Sequence, residues 1–255
     1  MTSPTATGAR APLPGLDVYY EDHGAGDPLV LLHGGAQTLD LSFGALIPLL
    51  TPHHRVVPIE LQGHGRTPDP DDREITLARM ADDVVGVLDH LGLARADVLG
   101  ASWGGLVALE TAVRHPDRVD RLVLAAVHTR KDGYHAEIHD PSTYATSTRM
   151  PTEEDFGAMV AEYERYGLST FEQVVTKLDP IVTAEENWTP AQLAGVTART
   201  LVMIGDHDFV RVDHAVAMAD AIPDAALAVL PRTKHTEVVG RVGIVAPILE
   251  DFLAR

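Results

Sequence analysis

Gly100, Ala101, Ser102, Trp103 and Gly104 form a G-x-S-x-G run between an apolar stretch, Ala96 to Leu99, and an amphipathic one. A serine on so sharp a strand-to-helix turn takes strained backbone angles, and small residues at Gly100, Ala101, Gly104 and Gly105 relieve the crowding there. The turn lifts the hydroxyl out of the sheet, and the first amides of the following helix point into the same space. A serine so placed suits covalent catalysis, provided that a base takes its proton. The plainer alternative, a glycine-rich turn with an incidental serine, is disfavoured by the strand before it and the helix after it.

Among the 13 histidines, His235 follows the last apolar strand-like run and precedes the last amphipathic stretch. That places it on a loop at the carboxyl end of a sheet, where ligands bind in open α/β folds. His33 and His64 sit in glycine-flanked turns and read as structural hydrogen-bonding groups. His115 reads as a cation at a helix C-terminus. A histidine base needs a carboxylate on its other ring nitrogen to fix its tautomer. Leu201 to Ile204 runs into Gly205, Asp206, His207 and Asp208, which offers two carboxylates on one loop; spacing alone does not choose between them, and turn chemistry explains either.

The elements that must position these residues alternate along the chain. Strands are expected at Leu16 to Glu21, Pro28 to Leu32, Arg55 to Leu61, Ala96 to Leu99, Arg121 to Ala126, Thr200 to Ile204 and Ala225 to Leu230. The first is expected to be an antiparallel edge strand. Helices are expected at Leu77 to Leu91, Gly104 to His115, Asp213 to Ala221 and Val238 to Leu253, with apolar residues such as Met80, Val84, Val87 and Leu88 on one stripe. The pattern is that of the α/β class: a mostly parallel, doubly wound sheet covered by helices. Between Ala126 and Thr200 nothing reads as a buried strand, so residues 128–198 are expected to form an inserted helical cap on a core of 16–127 and 199–255. Its helices would be Thr152 to Tyr166, Thr170 to Lys177 and Pro190 to Leu193, after an irregular stretch from Arg130 to Met150 that suits a lid or binding loop. Residues 1–15, rich in Thr, Ala, Pro and Gly and without an apolar h-region, read as a flexible tail.

Taken together, the chain resembles the α/β-hydrolase fold superfamily, of the small capped kind that includes esterases, lactonases, carbon-carbon bond hydrolases and cofactor-free haloperoxidases. The resemblance covers nearly the whole chain. It rests on Leu31 to Gly35, on Gly63 to Arg66, on the serine turn, on Gly205 to Asp208 and on His235. It implies a triad of Ser102, His235 and Asp208, because the acid in such proteins usually ends a G-x-x-D pattern. It further implies an oxyanion hole from the backbone amides of Trp103 and Gly35, with Ala36 as a competing donor. Gln62 and Lys234 depart from the family pattern, which commonly has proline and glycine there. Trp103 after the serine is a feature of prolyl aminopeptidases, whose fuller glycine-proline signature is missing after Gly35.

Composition bounds the partners. The 255 residues carry a formal charge of -17, which disfavours nucleic acid and anionic lipid, and no apolar run is long enough to span a bilayer. No cysteine is present, which removes disulfides, thiolate metal sites and a cysteine nucleophile. His135 and His139 have helical metal-ligand spacing, but Gly133 and Pro141 argue against a helix there. The expectation is a cytoplasmic, cofactor-free serine hydrolase of a small ester or lactone, with Tyr134, His135, Tyr144 and Met150 as substrate-lining candidates. Carbon-carbon or amide hydrolysis and perhydrolysis with the same triad remain open, as does a ligand sensor with a hydrolase-like pocket.

Overall fold

A computed structural model describes residues 7–166 and 169–254, apart from the side chains of residues 7, 141, 144 and 145. Its eight strands are β1 (Thr7–Leu13), β2 (Leu16–Gly24), β3 (Asp27–Leu32), β4 (His54–Ile59), β5 (Ala96–Ala101), β6 (Val119–Ala125), β7 (Arg199–Gly205) and β8 (Ala225–Leu230). They form one sheet in the order β1-β2-β4-β3-β5-β6-β7-β8, antiparallel across β1, β2 and β4 and parallel from β4 to β8. The central strands are apolar on both faces, as a sheet covered on both sides requires; every residue of β5 is buried.

The helices are α1 (Leu39–Phe43), α2 (Ile47–Leu50), α3 (Leu77–His90), α4 (Trp103–Arg114), α5 (Glu153–Tyr166), α6 (Phe171–Val182), α7 (Pro190–Ala194), α8 (Val212–Ala221) and α9 (Val242–Leu253). Thr76 caps α3 by accepting from Arg79 N, and α3 packs against α4 beside the sheet. Helix α2 packs against α9, and α8 lies on β7 and β8. Helices α5 to α7 all fall between β6 and β7.

Four expectations need correction. Residues 7–13 are not a tail: they pair with β2, and Leu13 faces Leu16 across a Pro14-Gly15 turn with Gly15 at φ +77°. That positive φ after a proline is what a tight type II turn demands. The strand was hard to see because its inward positions are mostly small, Ala9 and Ala11 among them, although Ala11 is fully buried. Consequently β2 is antiparallel but internal, flanked by β1 and β4. Helix α6 continues through Pro180 to Val182, whereas the final helix starts late, at Val242, after a single tight turn at His235–Glu237. The short helices α1 and α2 were not anticipated.

The strand order reverses at β3: the chain leaves β3 for β4 on one side and returns to β5 on the other. Loops at the carboxyl ends of β3 and β5 therefore lie side by side, the position where open α/β sheets bind ligands.

Candidate active site

Ser102 stands at this crossing with φ 49° and ψ -114°, outside the regions open to most L-residues. Its N–H donates to Ala125 O at 2.7 Å, and its carbonyl accepts from Gly105 N and Leu106 N at 2.9 and 3.0 Å. Backbone bonds thus hold the strained turn on both sides. Glycine is required nearby: a Cβ on Gly100 would be driven into the Gly104 carbonyl, and one on Gly104 into the carbonyls of Leu32 and His33.

The structure brings Ser102, His235 and Asp208 together from the ends of three strands. His235 Nε2 lies 2.8 Å from Ser102 Oγ, and His235 Nδ1 lies 2.7 Å from Asp208 Oδ1. Asp208 is fully buried and also accepts from Val210 N at 2.8 Å. A carboxylate at Nδ1 requires the ring proton there, which leaves the Nε2 lone pair facing the serine hydroxyl. Asp206 does a different job, accepting from Thr233 N at 3.1 Å. Backbone amides of Arg232 and Thr233 hold its carboxyl below the usual range, and it makes no bond to His235.

Two histidines build the neighbouring loop. His33 Nε2 accepts from Leu61 N at 3.0 Å while its Nδ1 meets Gly34 O; His64 Nε2 accepts from Ala36 N at 3.2 Å while its Nδ1 meets Gln62 O. Each ring thus ties its own loop to the other, and only the neutral form can accept in this way. Burial enforces that form, pushing His33 well below its ordinary value and His64 down to about 4. Ala36 N is committed to His64, whereas Gly35 N has no acceptor among the described residues. Gly104 N donates to His33 O at 3.0 Å, whereas Trp103 N, the first amide of α4, has no helical carbonyl to use.

A cavity of about 280 Å³ opens from Ser102, lined by Gly35, Trp103, Leu106, Phe209 and His235 from the strand-end loops and their neighbours, and by His128 and Tyr134 from the start of the segment between β6 and β7. The same segment also supplies Ile138, Met150, Phe156, Met159, Phe171, Val175, Leu178 and Val182. Among the described residues that line it there is no Asp, Glu, Lys or Arg. Of the substrate-lining candidates, Tyr134 and Met150 face the cavity. His135 does not; its backbone N–H bonds Phe209 O and its ring is partly exposed near Arg149 and Arg211. Tyr144 lies outside the described residues. His139 meets Lys131 O and shares no cluster of three potential metal ligands among the described residues.

Phe209 was missed by sequence reasoning. Its ring stacks on His235 with centroids 3.7 Å apart and planes 21° apart. Nothing but its place directly after Asp208 signalled this. The wall of α6 had a clearer signal: Phe171, Val175, Leu178 and Val182 repeat at four, three and four, one stripe of a helix. Gln62 also gains a reason, since its side-chain amide donates to Asp69 Oδ1 and Arg73 O at 2.9 and 2.8 Å and so pins the loop that carries His64.

The chain is similar to known proteins over most of its length. It is 28% identical to 2-hydroxymuconate semialdehyde hydrolase of Pseudomonas sp. (strain CF600), over 94% of this chain and 91% of that one. It is 29% identical to a protein of Variovorax paradoxus (strain S110) with the provisional name carbamate hydrolase RutD, over 94% of this chain and 97% of that one. In structure it is similar to Est816, described as an N-acyl homoserine lactone degrading enzyme, with a TM-score of 0.79 at 26% identity, covering 96% of this chain and all of the other. Among the described residues no helix is long and apolar enough to cross a membrane. Residues 27–159 match the family model for the alpha/beta hydrolase fold, and the chain belongs to that family of hydrolases.

Proposed function

We propose that the protein hydrolyses a small, uncharged carboxylic ester or lactone through an acyl-enzyme on Ser102. The observation that carries this reading is the continuous hydrogen-bonded chain Ser102–His235–Asp208 at 2.8 and 2.7 Å, opening on a largely apolar cavity. Ser102 Oγ attacks the carbonyl carbon while His235 Nε2 takes its proton and buried Asp208 stabilises the imidazolium. The amides of Gly35 and Trp103 meet the developing oxyanion; removing one such donor costs about 10² to 10³ in kcat. His235 then protonates the departing alkoxide, and a water that gives its proton to His235 attacks the acyl carbon and frees Ser102.

The substrate class follows from the lining. A carboxylate drawn into a cavity without a cationic side chain loses hydration that nothing replaces, a cost of several kcal/mol. A neutral ester or lactone avoids that cost, and the volume suits a molecule of modest size. Carbon-carbon bond hydrolysis is the second reading, favoured by the relative named for 2-hydroxymuconate semialdehyde. By its name that substrate is a carboxylate, for which this cavity holds no counter-charge.

A fluorophosphonate probe is expected to label Ser102, and Ser102→Ala to abolish both labelling and ester hydrolysis. Labelling elsewhere, or full activity in the variant, removes the reading. Parallel assays of neutral esters, lactones and 2-hydroxymuconate semialdehyde separate the two substrate classes.

A further inference from the structure

The loop that carries Gly35 touches the insertion at both of its ends. At the first end, Leu178 of α6 packs over Gly35: a methyl added there would lie 3.2 Å from Leu178 Cδ1. At the other end, Thr38 Oγ1 donates to Glu162 Oε2 of α5 at 2.8 Å. Thr38 is fully buried, and its hydroxyl oxygen also accepts from Leu41 N at 3.3 Å, where it caps α1. With its lone pair engaged by that amide, the O–H is directed at the carboxylate, a charge-assisted bond stronger than a neutral one. The remaining ties of the loop come from the core: Gly34 N to Ser42 Oγ at 3.3 Å, Ser42 Oγ to Gln37 Oε1 at 2.6 Å and Ala36 N to His64. Ala36 sits at φ 56°, so the loop is held in a conformation it would not adopt when free.

We propose that Glu162 is a positioning residue: through Thr38 it holds residues 34–38 so that the Gly35 amide points where the oxyanion forms. The inference rests on the acyl-enzyme reading above and extends it. An oxyanion donor is effective only when held to within about half an ångström of its productive place. The insertion thereby contributes to the rate of the chemical step as well as to the shape of the cavity. Glu162 touches no reacting atom, and its other oxygen meets Arg165 at 3.4 Å on the surface.

The test uses the whole protein, a fluorophosphonate probe and p-nitrophenyl acetate. Glu162→Ala is expected to slow Ser102 labelling and lower kcat about 10-fold, a fraction of a full donor's worth, with KM within about twofold, because an oxyanion contact is made in the transition state alone. Glu162→Gln, which keeps an acceptor, should recover most of the rate, and Arg165→Ala should match the parent. Thr38→Val should lose about as much as Glu162→Ala, and the double variant no more than the worse single one, since both remove one interaction. Unfolding midpoints taken alongside identify any variant that has lost its fold, and Glu162→Gln then carries the comparison. Parent-like labelling and kcat in Glu162→Ala, a change in KM alone, or multiplicative losses in the double variant would overturn the assignment. Absence of labelling in the parent instead removes the serine reading, so the two failures are distinguishable.

Discussion

Helices α4 and α5 show how differently the sheet and the insertion are built. Helix α4 buries nine of its 12 residues behind the serine turn, whereas α5 buries two of its 14. Around α4 the polar groups are tied by backbone bonds to strands buried on both faces; around α5 and α6 the ties to the core are scattered side-chain contacts. These include Tyr166 to Asp40, Ser169 to the Gly63 carbonyl and an ion pair between Lys177 and Asp69. Large apolar side chains also reach solvent there: Phe156 and Val175 are about 40% exposed while lining the cavity. The groups that meet at Ser102 stand on loops at strand ends, whereas many of the apolar groups around the cavity stand on the less buried helices α5 and α6.

The largest expected effect lies at the strand ends. Asp208→Asn should lower turnover by about 10⁴, because an amide at His235 Nδ1 holds the wrong tautomer. Asp206→Asn should act mainly on the Thr233 turn and keep most of the activity. Steady-state kinetics of the pair decides; a greater loss in Asp206→Asn would reverse the roles.

Alanine at Met150, Phe156 or Tyr134 should instead reorder substrates. Removing one packed group from a hydrophobic pocket shifts discrimination by roughly 1 to 3 kcal/mol. His135→Ala, whose ring stands off the cavity, should leave the ranking as it was. Relative kcat/KM over an acyl-chain series is the measurement, and an unchanged ranking in all three lining variants would assign selectivity to the strand-end loops alone.

The smallest effect concerns pH and stability. His64 has its folded value lowered from 6.5 to about 4, so unfolding below pH 6.5 takes up a proton. Its contribution to stability is complete above 6.5 and is lost as pH falls through about 4. His64→Gln should make the loss of unfolding midpoint over that window shallower, a difference readable by thermal scans at several pH values. An unchanged slope would show that the ring is not the neutral acceptor assigned to it.

Local pattern made much of this protein legible from its residues. The doubly buried strands announce themselves as short apolar runs, as in β5, and the edge strand β8 also runs from Ala225 to Leu230 as expected, although only Leu230 of it is buried. The serine turn was legible in part for the same reason: Gly100 is demanded by the nearby Gly104 carbonyl, whereas Gly104 is demanded by the carbonyls of Leu32 and His33 on another strand end. Strand β1 was not, since alanines gain little by burial individually and their pairing with β2 is what orders them.

Several choices in the site belonged to tertiary structure. Which aspartate reaches His235 depends on a loop 27 residues distant in the chain, and Gly35 is left free as a donor while Ala36 is engaged by His64, 28 residues away. The outward turn of His135 follows from its backbone bond to Phe209 O. The sequence by itself determined the α/β class, the strand-to-helix turn and the candidate serine and histidine, all matters of neighbouring residues. The partner of each polar atom was decided only when the sheet reversed its order at β3 and set distant loops side by side, because a hydrogen bond is specified by geometry over a few ångströms and not by position along the chain.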